Sequence, residues 1–204
     1  QRAARLNAMQ FPPPLQPGDT LRVIAPSGVV SEDRFRQGIE LLTEQGFKVA
    51  YDPRVFEQYR YFAGRDEARL QELRLALLDD AAKAIWMARG GYGAARLLTG
   101  LDSNLLRRHP KWLVGFSDAT VLHCLWYRAG FCSIYGANVT TLGDWSTLAR
   151  QELFELLQNK ASKTLHGEVA IAGQGTPVRA PLVGGNLTVL ASLAGTGFLP
   201  NFRG

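Results

Sequence analysis

Trp112-Leu113-Val114-Gly115-Phe116-Ser117-Asp118-Ala119-Thr120-Val121-Leu122-His123 decides how the rest of the chain is read. The apolar run from Trp112 to Phe116 reads as a buried strand, and the stretch from Asp118 to Arg128 reads as a helix. A strand that turns directly into a helix is half of a strand–helix–strand unit, and Cys132 to Tyr135 supplies the next strand.

Upstream, the same alternation repeats. Ala84 to Ala88 reads as a strand, Arg89 to Gly93 as a glycine-rich loop, and Ala94 to Leu98 as the start of a helix. Before these come a strand from Leu21 to Ala25, closed by Pro26, Ser27 and Gly28, and a helix capped by Ser31. That helix carries Glu32 and Asp33 in its first turn and Phe35, Ile39 and Leu42 on one face, and Gly46 stops it. Phe47 to Tyr51 reads as the second strand. A long connector from Pro53 to Arg65 leads to a helix capped by Asp66, with Leu70, Leu73 and Leu77 on one face.

Strands and helices alternating in this way predict an α/β fold. Residues 1–144 are expected to form a doubly wound, Rossmann- or flavodoxin-like, mainly parallel sheet with helices on both faces. Beyond Gly143 the pattern changes, and residues 145–177 read as a linker with one helix, Leu148 to Gln158. Residues 178–204 read as the start of a second, mixed α/β domain. In such a sheet ligands bind at the carboxyl ends of the strands. The loops Pro26 to Gly28, Arg89 to Gly93, Ser117 to Asp118 and Gly136 to Asn138 are therefore the places to look for a site.

With 46% hydrophobic and 20% charged residues over 204 positions, the chain has the material for a sizeable core, which excludes a disordered or collagen-like polymer. The net charge of +5 comes from basic residues interleaved with acids, as at Glu67, Arg69, Glu72 and Arg74, so a solvated surface is expected rather than a nucleic-acid footprint. No apolar window reaches the roughly 18 residues of a membrane span, and the first residues lack the apolar core of a signal peptide, so a cytoplasmic chain without a membrane partner is expected. Cys124 and Cys132 have neither metal-ligand nor disulfide-framework spacing, and both are expected to be buried thiols.

Ser117 stands where strand becomes helix, with Gly115 two residues before it and Ala119 two after it. Small neighbours of this kind let a serine project from a strained turn as a nucleophile, and the free N–H groups of the following helix favour an oxyanion. Ser117 or Asp118 serving only as a helix cap is the alternative. In Arg89-Gly90-Gly91-Tyr92-Gly93 the glycines let backbone amides approach a ligand. No Lys-Ser or Lys-Thr follows, and Arg96 stands where a dinucleotide fingerprint needs its third glycine, so amides aimed at an oxyanion, or a plain tight turn, fit better than a phosphate cradle. A serine nucleophile needs a base. His123 is roughly 9 Å along the same helix and rotated about 240° from Ser117. His109 and His166 read as solvent residues, so no triad closes within the sequence.

ARGGYGAARLL (88–98), HPKWLVGFSDATVLH (109–123) and LVGGNLTVLASLAGT (182–196), with PGDTLRVIAPSG (17–28), together resemble the serine peptidases of the L,D-carboxypeptidase family, the muramoyltetrapeptide carboxypeptidases. The resemblance covers most of residues 15–200. It implies Ser117 as nucleophile, the amides of Gly91 and Asp118 as oxyanion hole, and Arg89, Gly90 and Tyr92 as substrate contacts. It further implies that no metal or other cofactor is needed, that the partner is a cytosolic murein tetrapeptide losing its terminal D-alanine, and that a homodimer forms. Family members take their triad glutamate and histidine from downstream of the GGNL segment. Gly204 precedes both, so the chain alone is expected to be inactive. Tyr135-Gly136-Ala137-Asn138 stands where the family commonly has His-Gly-Pro. A self-immunity peptidase that cleaves aminoacyl-nucleotide antibiotics and a non-catalytic anion-binding module are the rival readings.

Overall fold

A computed structural model describes residues 9–160 and 181–201. His166 and most of the expected linker lie outside the described residues. The strands are β1 (Thr20–Ile24), β2 (Lys48–Tyr51), β3 (Ala82–Met87), β4 (Trp112–Gly115) and β5 (Ile134–Tyr135). They form one parallel sheet in the order β2-β1-β3-β4-β5. That order reverses direction between β1 and β3, which opens a crevice above their carboxyl ends.

Both sheet faces are covered. Alternate residues of one strand go to opposite cores: Ala84 and Trp86 of β3 join one cluster, Ile85 and Met87 the other. The first cluster is closed by α1 (Glu32–Glu44) and α5 (Thr147–Leu157) through Phe35, Leu42, Leu153, Phe154 and Leu157. The second is closed by α2 (Asp66–Leu78), α3 (Ser103–Arg108) and α4 (Thr120–Ala129) through Leu73, Leu77, Leu106, Leu122 and Trp126. Burial on both faces explains why the strands read as unbroken apolar runs rather than alternating ones. The buried indoles find partners: Trp86 Nε1 donates to Ala137 O at 2.7 Å and Trp126 Nε1 to Lys111 O at 2.9 Å.

Several local readings need correction. Ser31 occupies the cap position of α1 but its side chain makes no capping bond. Asp66 is the first residue of α2, not its cap, and pairs with Arg69 and Arg96. The segment after the glycine loop is a 3₁₀ helix, Ala94–Gly100, and α3 follows it where no helix was expected. Cys132 lies outside β5 and is only half-buried, whereas Cys124 is buried. Helix α5, placed in the linker by its sequence pattern, lies on the sheet: Leu15 N–H donates to Leu157 O at 2.9 Å, and the Phe154 ring is 6.3 Å from Trp86. The GGNL segment starts α6 (Leu187–Ser192), capped by Asn186, whose side chain accepts from Val189 N–H. No helix among the described residues is long and apolar enough to cross a membrane.

Candidate active site

Four loops meet above the carboxyl edge of the sheet: those after β1, β3, β4 and β5. Ser117 is the first residue beyond β4 and Phe116, with φ +65, a conformation that side-chain-bearing residues rarely adopt. Its neighbours hold it there. Ser117 N–H donates to Tyr135 Oη at 3.0 Å, and Ser117 O accepts from Thr120 Oγ1 at 2.7 Å. The preceding amide, Phe116 N–H, donates to Asn138 Oδ1 at 3.1 Å. Thr120 Oγ1 in turn accepts from Asn186 N–H at 2.9 Å, so the GGNL segment touches the turn that carries Ser117.

A short 3₁₀ turn, Ser117–Ala119, runs into α4, and its first turn leaves backbone N–H groups without helical partners. Neither Ser117 nor Asp118 caps this helix, because no side-chain capping bond is present at either start. The Asp118 carboxylate is buried and turned instead toward Ser27 and Ala94. Burial pushes its carboxyl above the usual carboxylate range, against the lowering effect of the hydrogen bonds from Ala94 N–H and Ser27 Oγ.

The glycine loop lies opposite. Gly91 has φ +117, and among the described residues no acceptor takes its N–H. Gly90 O accepts from Gly28 N–H at 3.2 Å, which ties this loop to the one after β1. A Cβ at Gly90 would sit 3.1 Å from Ser117 Cβ and 3.3 Å from Ser117 Oγ, so a side chain there would press the nucleophile turn and displace it by a few tenths of an ångström.

Between the loops is an open cleft of about 410 Å³ lined by Ser117, Gly90, Gly91, Asn138, Arg34 and Arg89, among others. Arg89 donates to Val29 O. Arg34 donates to Thr140 O at 2.9 Å and is ion-paired with Asp144. Asp144 offsets the Arg34 charge, and Arg89, which has no carboxylate partner among the described residues, is the guanidinium suited to an anionic ligand. Tyr92 is not among the lining residues: it is exposed, with its ring 6.1 Å from Phe62.

No side chain among the described residues hydrogen-bonds Ser117 Oγ. His123 is buried below the site, with Nε2 donating to Gly115 O at 2.9 Å and Nδ1 accepting from Ser133 Oγ at 2.8 Å. Burial lowers its pKa to about 4, so it is a neutral structural imidazole. His109 lies 3.6 Å from Asp80, at the other end of α3. Burial pushes the Cys124 thiol up to about 11 and raises that of Cys132, so neither supplies a thiolate. Among the described residues no group of His, Cys, Asp and Glu is arranged to hold a metal.

The sequence marks the four loops, and with them Ser27 and Asn138, but does not single out Arg34, Thr120 or Tyr135 as contributors. Arg34 reaches the cleft from α1, and nothing in its local sequence distinguishes it from other exposed helix arginines. Tyr135 carried a signal, its departure from the family's histidine, although its hydroxyl contact to Ser117 N–H is visible only in three dimensions.

Residues 21–136 match the family described as LD-carboxypeptidase N-terminal domain. The chain is 37% identical over 193 residues to a putative carboxypeptidase of Synechocystis sp., covering 94% of this chain and 63% of that protein. It is 37% identical over 183 residues to the murein tetrapeptide carboxypeptidase of Pseudomonas aeruginosa, covering 85% and 60%. Among solved structures, an MccF-like protein from Bacillus anthracis superposes with a TM-score of 0.80 at 26% identity, over 94% of this chain and 67% of that one. The chain spans about three fifths of the length of the curated relatives it matches.

Proposed function

The chain belongs to the LD-carboxypeptidase family, and from that premise we propose that it carries the nucleophile half of a serine carboxypeptidase that releases the terminal D-alanine of murein tetrapeptides. The observation that carries this reading is Ser117, held at positive φ in a cleft roofed by the glycine loop.

In this reading Ser117 Oγ attacks the carbonyl carbon of the amide joining an L-centre to D-alanine. A base takes the Ser117 hydroxyl proton and, as its conjugate acid, passes it to the D-alanine nitrogen as the C–N bond breaks; the Gly91 and Asp118 amides stabilise the oxyanion, and water activated by the same base hydrolyses the acyl-enzyme and restores Ser117. Arg89 and the Gly90 backbone serve as substrate contacts within the cleft, with Arg89 facing the substrate's carboxylate, and Tyr92 as a contact with any part of the substrate that extends outside it. The base and its orienting carboxylate are a histidine and a glutamate from sequence outside this chain, in a second domain that begins near residue 178. Support comes from the greater length of the relatives, and no side chain among the described residues hydrogen-bonds Ser117 Oγ. A cytoplasmic location and a homodimer complete the proposal, resting on the family resemblance alone.

The test is D-alanine release from tetrapeptide by the complete protein, by Ser117→Ala and by the 204-residue chain alone. Ser117→Ala is expected to lower turnover by about 10³-fold or more, and the isolated chain to show none. Hydrolysis by Ser117→Ala at the unmodified rate would sink the nucleophile assignment. Equal turnover by the isolated chain would sink the placement of the base. Faster cleavage of an aminoacyl-nucleotide than of tetrapeptide would reassign the substrate class.

A further inference from the structure

One carboxylate oxygen joins three of the four loops around Ser117. Asp118 Oδ2 accepts from Ser27 Oγ at 2.7 Å and from Ala94 N–H at 2.9 Å. Ser27 lies beyond β1, Ala94 is the first residue of the 3₁₀ segment that follows the glycine loop beyond β3, and Asp118 stands on the turn beyond β4. Asp118 is 3% exposed and Ser27 and Ala94 are fully buried, so water does not substitute for either contact.

An aspartate in the first turn of a helix ordinarily accepts from the amides of that same helix. Both donors here are distant in sequence, and neither belongs to α4. The side chain therefore contributes to the relation between loops and not to helix capping. That relation matters because the two amides proposed to hold the oxyanion, those of Gly91 and Asp118, sit on different loops. The value of such donors depends on their holding positions within a fraction of an ångström of the developing charge. The pairing of β3 with β4, Trp86 beside Val114, fixes the strand ends from which the two loops leave, and the positions of the loops beyond those ends are left to contacts between the loops themselves.

We propose that the Asp118 side chain is a positioning residue: by holding Ala94 and Ser27 against the nucleophile turn, it sets the spacing of the two oxyanion donors. The proposal rests on Ser117 being the nucleophile. It separates two roles within one residue, the backbone N–H touching the reacting oxygen and the carboxylate aligning the opposite wall. Hydrogen-bond acceptance is the property required, because both contacts end on one oxygen. An amide in place of the carboxylate retains such an oxygen, and a methyl group does not.

The experiment uses the complete protein with Asp118→Ala, Asp118→Asn and Ser27→Ala, reading tetrapeptide kcat and KM, the rate of phosphonylation by a fluorophosphonate, and hydrogen exchange at Ala94 N–H. Asp118→Ala is expected to lower kcat and the phosphonylation rate together by about 10²-fold or more, with KM changed less than about threefold. Asp118→Asn is expected to keep both rates within about tenfold of the unmodified protein, and Ser27→Ala to fall between the two. Exchange at Ala94 N–H should accelerate in Asp118→Ala and stay slow in Asp118→Asn.

A folded Asp118→Ala with kcat within threefold of the unmodified protein would overturn the proposal, as would an Asn variant as impaired as the Ala variant. If Asp118→Ala fails to fold, Ser27→Ala decides: an unmodified kcat and phosphonylation rate overturns the clamp. A merely structural role would lower the fraction of serine that titrates while leaving the rate per reactive site intact. If the unmodified protein neither hydrolyses tetrapeptide nor reacts with fluorophosphonate, the nucleophile reading has failed, and Ala94 exchange still reports whether the clamp exists.

Discussion

Among the described residues Ser117 is one of three other than glycine with positive φ, and the other two, Arg60 and Asn159, lie outside the cleft. Holding a serine there costs on the order of 1–3 kcal/mol, which the surrounding contacts must offset. The contacts from Tyr135 Oη and Thr120 Oγ1 are suited to that, since they fix the amide and the carbonyl of the same residue. Gly91 meets the opposite demand. Its φ of +117 is open to glycine, and an added Cβ would lie 3.2 Å from the Gly28 backbone. Gly91→Ala is therefore expected to destabilise the protein by about 1–3 kcal/mol and to lower kcat. Denaturant titration and tetrapeptide turnover check this, and an unchanged midpoint with unchanged kcat would show that the loop relaxes freely.

At the level of elements, the hydrogen-bonded contact between α4 and the GGNL segment runs through one hydroxyl. Thr120 Oγ1 accepts from Asn186 N–H and donates to Ser117 O, and Thr120 is fully buried. Thr120→Val keeps the shape and removes both bonds, leaving a donor and an acceptor unpaired. The expected loss is about 1–3 kcal/mol, with α6 amides exchanging faster than those of β3 and β4. Uniform exchange across these elements would mean that α6 is held by its apolar contacts alone, Val189 and Leu190 against the second core cluster. The same reasoning explains α5. Its Leu153, Phe154 and Leu157 are buried in the first cluster, so the helix completes a sheet face that β1, β3 and β4 would otherwise expose.

For the molecule as a whole, the buried Glu72 and His123 tilt stability with pH in opposite directions, and the buried Asp118, whose carboxyl is likewise raised, adds to the Glu72 side. Glu72 accepts from Ala25 N–H at 2.9 Å below the first loop of the site, and burial raises its pKa to about 7 from 4.5. The folded state therefore binds more protons there than the unfolded one between pH 4.5 and 7, so this contribution falls as pH rises through that range. His123, lowered to about 4 from 6.5, binds fewer, so its contribution rises as pH rises from 4 to 6.5. Each effect is on the order of 3 kcal/mol and the two largely cancel. Glu72→Gln is expected to leave stability rising with pH across 4.5–6.5, and His123→Gln to leave it falling. Denaturant titrations at several pH values check both signs, and parallel profiles for the two variants would refute the assignment.

Local pattern determined the α/β class, strands β1 to β4 nearly to their ends, and the loops where chemistry belongs, because apolar runs bounded by Gly and Pro, and the small neighbours of Ser117, are properties of adjacent residues. Helix α3 escaped because six residues show less than two turns of periodicity, and the 3₁₀ form of Ala94–Gly100 escaped because so short a stretch does not distinguish it from an α-helix. Only the tertiary structure decided that Ser27, Ala94 and Asp118 share one oxygen, that Tyr135 and Thr120 brace Ser117, and that Arg34 reaches the cleft. Apart from the Thr120–Ser117 contact, which spans three residues of one turn, these meetings depend on the order β2-β1-β3-β4-β5, which sets neighbours by hydrogen bonding and burial across the sheet and not by distance along the chain.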